Sequence, residues 1–141
     1  MTQNDKKVII SNQVFFAFID RSHQNHGQAV AFFRYFTEEQ FELYTVLFSV
    51  AATYQDLQDH IGLSIARNWL KSIFLGNIQI AYPDEATIKA AIKLITSTYN
   101  YNITIDQAVM NVVADKKGIP FIATFEFFPF FFGIKPFTLP L

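Results

Sequence analysis

Short apolar runs alternate with amphipathic stretches along almost the whole chain, and that alternation sharply limits the folds open to it. Val8-Ile9-Ile10 is continuous apolar sequence, of the kind that fills a strand buried on both faces of a parallel sheet. Phe41 to Thr45 reads as a second strand, Ile78 to Ala81 as a third and Pro120 to Thr124 as a fourth. Phe137 to Leu141 is predicted as a last edge strand.

The intervening segments have helical spacing. Val14 to Ile19 reads as a short buried helix, ended by the turn Asp20-Arg21-Ser22. From about Asn25, the residues Ala29, Phe32, Phe33 and Phe36 recur at three- and four-residue steps, the signature of one helix face. Leu47, Val50, Ala51 and Tyr54 form another stripe, broken by Gly62. Ser64 is the expected cap of the next helix, which carries Ile65, Trp69 and Ile73 and ends near Gly76. Pro83-Asp84-Glu85 opens a further helix, with Ile88, Ala91, Ile92 and Ile95 as its expected buried face. Thr104-Ile105-Asp106-Gln107 is a capping-box sequence, a threonine followed three residues later by glutamine. Its helix is expected to bury Ile105, Ala108, Val109, Val112 and Val113. It ends at Lys116-Lys117-Gly118, where cations meet the negative helix end and glycine takes the left-handed turn. Strands alternating with helices imply an α/β domain with a mainly parallel sheet, residues 1–141 forming one domain.

Composition removes several function classes. Cysteine is absent from the 141 residues, which excludes a disulfide framework, a zinc–thiolate site and thiol catalysis. An apolar content of 51% is too high for a disordered chain. No apolar run approaches the roughly 18 residues that span a bilayer, so no membrane partner is expected. Met1 to Lys7 leads only into a short strand and does not read as a secretory signal, which makes the cytoplasm the expected location. A formal charge of −1 supplies no global pull toward nucleic acid, and the lysines and arginines are scattered, so RNA is a weakly supported partner. Many of the 17 phenylalanines crowd Phe125 to Phe137, which points either to a self-association face or to internal packing.

In a parallel α/β sheet the functional crevice lies at the carboxyl ends of the strands. Those ends are near Ser11, Ala81 to Tyr82 and Thr124 to Glu126, with the helix start at Thr104 to Gln107 beside them. His23, His26 and Asp20 lie close together in a polar stretch, and His60 is distant in sequence. Surface placement is the ordinary fate of such histidines. The chain has no nucleophile-elbow spacing and no phosphate-binding glycine loop.

Four segments occur in a telling order. Val8-Ile9-Ile10-Ser11-Asn12-Gln13-Val14-Phe15-Phe16 is a strand, a small polar group and an apolar helix. Asp20 to His26 is a polar turn leading to the Ala/Phe-rich stretch Ala29 to Phe33. Ile103 to Ala108 is a capped helix start, and Ile122-Ala123-Thr124-Phe125-Glu126 is a strand ending in an acidic corner. Together, over nearly the whole chain, they resemble a PIN domain, the fold of many metal-dependent ribonucleases, including toxins of bacterial toxin–antitoxin pairs. The resemblance implies a three-layer α/β domain, a mainly parallel sheet flanked by helices. It also implies a homo-oligomer, often a homodimer, and a small antitoxin-like protein partner held in a hydrophobic groove.

The same resemblance implies clustered carboxylates that hold Mg²⁺ or Mn²⁺, the ion activating water against a phosphodiester. This chain departs from that pattern. Ser11 stands at the first acidic position, Ala52 at the second and Gln107 at the third, with Asp106 one residue earlier; Glu126 alone is still acidic. Ser11, Gln13, Ala52, Gln107 and Thr124 are thus the family-equivalent pocket positions, and Glu126 and Asp106 the candidate catalytic and metal-binding remnants. The first expectation is a degenerate site with lost or weakened nuclease activity and no cofactor. The second is an active Mg²⁺- or Mn²⁺-dependent ribonuclease on Glu126 and Asp106, with Asp20 as a further candidate. A third is an unrelated α/β domain that binds a small ligand at the strand ends.

Overall fold

The computed structural model describes residues 2, 5–99, 102–126 and 128–140. Along the chain run β1 (Lys7–Ile10), α1 (Asn12–Ile19), α2 (His26–Glu38), β2 (Glu42–Val46), α3 (Leu47–His60) and α4 (Leu63–Leu75). They are followed by β3 (Gln79–Ala81), α5 (Glu85–Thr96), α6 (Ile105–Lys117), β4 (Phe121–Ala123) and β5 (Lys135–Pro136). The strands form one sheet in the order β3-β2-β1-β4-β5. Every pairing is parallel, with Val8 opposite Leu43 on one side and Phe121 on the other. The expected α/β class and three-layer build are therefore the architecture found.

The layers follow from the two-residue period of a strand. Val8 and Ile10 of β1 and Ala123 of β4 face a cluster built by α1 to α4, whose buried members include Phe15, Phe32, Phe36 and Trp69. Ile9 and Ile122, one position along, face the other layer, where α5 and α6 supply Ala91, Ala108, Val109, Met110 and Val112. Both faces of β1 are fully covered, which is why its sequence is continuously apolar.

Several boundaries differ from the sequence expectations. The last strand is the short β5, Lys135–Pro136, and not Phe137 to Leu141; Leu141 lies outside the described residues. Phe137 still donates its N–H to the Ile122 carbonyl at 2.9 Å, but its ring turns into the core and pairing stops there. Gly62, not Ser64, is the N-cap of α4, at φ 155°, a backbone conformation that side-chain-bearing residues seldom adopt. The buried stripe of α4 is Ala66, Trp69 and Ile73, so Ile65 faces outward. Ile92 and Ile105 are also exposed, Ile105 because it begins the first turn of α6 and points away from the sheet. Ala51 likewise sits on the outer face of α3. Gly118 ends α6 in the left-handed region, as the Lys-Lys-Gly signal implies.

Most phenylalanines turn inward. Phe137 packs against Phe36 with ring centres 4.7 Å apart and against Phe32 at 5.4 Å, and Phe125 stacks on Phe32 at 5.4 Å. Phe128 and Phe130 pair at 5.0 Å on the α6 side. Internal packing accounts for these side chains, and Phe132 is the exposed exception among the described C-terminal rings. Among the described residues no helix is long and apolar enough to cross a membrane.

Candidate functional site

The carboxyl ends of β1 and β4 are tied directly together. Ser11, the N-cap of α1, donates its backbone N–H to the Ala123 carbonyl at 3.0 Å. Its hydroxyl donates to Gln13 Oε1 at 2.9 Å, and the Thr124 hydroxyl donates to the same oxygen at 3.0 Å. The Thr124 oxygen in turn accepts the Glu126 N–H at 3.4 Å. Ser11, Gln13 and Thr124 therefore form one continuous polar seam across the two strand ends.

The first turn of α6 adjoins this seam. Thr104 Oγ1 accepts the Gln107 N–H and Gln107 Oε1 accepts the Thr104 N–H, both at 3.1 Å, which completes the capping box. With its oxygen held by the cap, the Gln107 amide nitrogen donates to Glu126 Oε1 at 3.2 Å. One side chain thus caps the helix and binds the carboxylate. Glu126 itself is exposed at the strand end. Asn111, one turn along α6, bonds the Gln107 and Pro129 carbonyls and accepts the Phe131 N–H at 2.9 Å, fastening the phenylalanine segment over the helix.

Asp106 points the other way, toward α3. The Ser49 hydroxyl lies 3.4 Å from both of its carboxylate oxygens. Burial pushes the Asp106 carboxyl up to about 6; the Ser49 hydrogen bond opposes the rise and the nearby Glu126 charge adds to it. Near neutral pH this group is close to its titration point and holds a proton for part of the time. Ser49 was not among the sequence candidates. It lies 57 positions from Asp106, and no local pattern marks it. Ala52, half-buried one turn further along α3, brings no polar group to the cluster.

These residues poorly match the needs of a resident Mg²⁺ or Mn²⁺. Such ions take about six oxygen ligands and favour anionic ones. Among the described residues no group of three or more His, Asp and Glu side chains is placed to hold a metal. Asp106 is raised toward its neutral form by burial, and Gln107 offers Glu126 an N–H, a donor that competes with any cation for that oxygen.

The histidines are distributed differently from their sequence order. His26 Nδ1 bonds the Ala17 carbonyl at 2.8 Å, and Asp20 accepts both the N–H and the hydroxyl of Ser22. Hydrogen bonding to Ser22 holds the Asp20 carboxyl below its ordinary value, with help from the His23 and His26 charges. Asp20 thus serves its own turn and does not join Asp106 and Glu126. His23 and His60 instead each pack against Phe16 of α1 in a T-shaped arrangement.

No protein-family model matches the chain, and no curated protein sequence matches it. Solved structures do. The crystal structure of Mycobacterium tuberculosis VapC20, a sarcin-ricin loop cleaving toxin, superposes with a TM-score of 0.71 at 15% identity. The match covers 82% of this chain and 86% of that one. At that identity the likeness shows the fold, which is PIN-like.

Proposed function

We propose that this is a single PIN-like domain related to metal-dependent ribonuclease toxins, with nuclease activity lost or strongly weakened, and that it works as an oligomeric or partner-binding module. The observation that carries the reading is the Gln107 amide, which donates to Glu126 where the resemblance calls for a carboxylate ligand. A site left with two carboxylates, Asp106 and the exposed Glu126, has little hold on a divalent ion. An antitoxin-like protein or a second copy is the proposed partner. The exposed Leu63, Ile65, Phe74 and Leu75 of α4 support this, since apolar side chains gathered on one helix favour contact with protein. The cytoplasm is the proposed location.

The second reading, a Mg²⁺- or Mn²⁺-dependent ribonuclease on Glu126 and Asp106, is favoured by the proximity that lets the Glu126 charge act on Asp106. An unrelated α/β fold is disfavoured by the strand order and by the likeness to VapC20. Calorimetric titration of Mn²⁺ into the protein and into its Glu126→Gln variant separates the two nuclease readings, run beside an RNA cleavage assay. The expected result is no saturable Mn²⁺ binding and no cleavage by either protein. Mn²⁺-dependent cleavage that vanishes in Glu126→Gln would overturn the first reading in favour of the second.

A further inference from the structure

An open cavity of about 260 Å³ lies between the start of α1 and the end of α3, lined by Asn12, Gln13, Phe16, His23, Asp56 and His60. Phe16 is the apolar aromatic part of its lining, with the His23 ring centre 6.0 Å away at 72° and the His60 ring centre 6.2 Å away at 90°. The polar groups around it have defined characters. His23 Nδ1 accepts the Asn25 N–H at 3.0 Å, so in the neutral ring the proton sits on Nε2, as a donor. Gln13 Oε1 already accepts two hydroxyls, so its amide N–H groups are what remain to offer. Among the described residues the side chains of Asn12, Asp56 and His60 have no hydrogen-bond or ion-pair partner.

This inventory selects a ligand class. A phosphate would meet the Asp56 carboxylate as a like charge. A resident metal is disfavoured, because no group of three His, Asp and Glu side chains is placed to hold one among the described residues. A purely apolar ligand would leave the half-buried polar groups unsatisfied. What fits is a flat, uncharged ring system that packs on an aromatic wall and presents donors along one edge and acceptors along another. Guanine is such a ring: its adjacent N1–H and N2–H suit a single carboxylate, and its O6 and N7 suit amide and imidazole N–H donors. Adenine presents a bare N1 acceptor to that carboxylate, and uracil flanks its one N–H with two acceptors.

We propose that this pocket binds a guanine base, held by Asp56 on its Watson–Crick edge and by the Gln13, Asn12 and His23 donors on its O6 and N7. Asp56 lies one helical turn beyond Ala52 on α3, and Gln13 belongs both to the pocket and to the seam joining Ser11 and Thr124. The base therefore sits next to the strand ends, whether or not any metal chemistry survives there. Its source is a guanine nucleotide or a guanosine in single-stranded RNA, and the base chemistry is the same for both.

The test is titration of GMP, AMP, CMP and UMP into the full chain, followed by calorimetry and by the histidine ring resonances. GMP is expected to bind about fivefold or more tightly than AMP, the least that one well-made pair of base-edge hydrogen bonds is worth. His23 and His60 should shift on binding while His26 stays still. Asp56→Asn, a same-size change, should abolish the preference for GMP, and the exposed His60→Gln should weaken binding without altering the melting temperature. The trinucleotides UGU and UAU then identify the source: tighter binding of UGU than of GMP assigns RNA, and equal or weaker binding assigns the free nucleotide. Equal affinity for GMP and AMP, or unmoved His23 and His60 resonances at millimolar GMP, would overturn the proposal. None of these readouts depends on Mn²⁺ or on cleavage, so failure here is distinguishable from failure of the reading above.

Discussion

The two faces of the sheet are packed by different means. On one, rings interlock: Phe15, Phe32, Phe36, Phe41, Trp69 and Phe137 fill the space under α1 to α4. On the other, alanines, valines and isoleucines predominate, and α6 is buried continuously from Gln107 to Ala114. The lesson concerns placement. Small side chains let α6 lie deep against the sheet, so its first turn delivers Asp106 and Gln107 to the strand ends. The ring-packed face, where each large side chain touches several others, fixes α1 and α3 relative to each other and so shapes the cavity around Phe16.

Truncation separates the two faces most strongly. Phe32→Ala is expected to cost about 3–5 kcal/mol in urea denaturation, and Val109→Ala about half as much, because fewer buried carbons are removed. Equal losses would break the contrast. Next in size is the pH dependence carried by Asp106. In the folded protein its carboxyl keeps its proton up to about pH 6, whereas an unfolded aspartate releases it near 3.9. The folded state therefore binds more protons between those values. The resulting stability is complete below about pH 4 and is lost as pH rises through about 6. Asp106→Asn should leave stability unchanged near pH 4 and raise it by roughly 1–3 kcal/mol near pH 8, measured by thermal melts across that range. The smallest effect is expected at the cap. Thr104→Ala should cost about 1 kcal/mol and speed hydrogen exchange in the first turn of α6, with Thr104→Ser close to neutral.

What the sequence shows depends on how far apart the interacting parts lie. The apolar run at β1 and the helical stripe of α2 are local patterns, and both form as read. The capping box was legible for the same reason: Thr104 and Gln107 are neighbours on one turn. β5 was not, since two residues carry little pattern and their pairing is set by β4. The contact of Gln107 with Glu126 spans 19 positions, and that of Ser49 with Asp106 spans 57. His23 and His60 are joined only by the packing of α3 on α1. Sequence reasoning named Gln107, Asp106 and Glu126 from motif order but had no means of assigning their partners.

The position of β1 has a consequence for how the protein is made. It is the middle strand, yet it leaves the ribosome before either of its partners, and Val8 meets Phe121 only after more than a hundred further residues exist. A nascent chain must carry this apolar strand with one edge open until β4 has been made, because parallel pairing at such sequence distance forms late and slowly. The sheet is thus completed only once β4 has emerged, and the hazard during growth is concentrated in Val8-Ile9-Ile10, a segment that is among the best protected once folding is done.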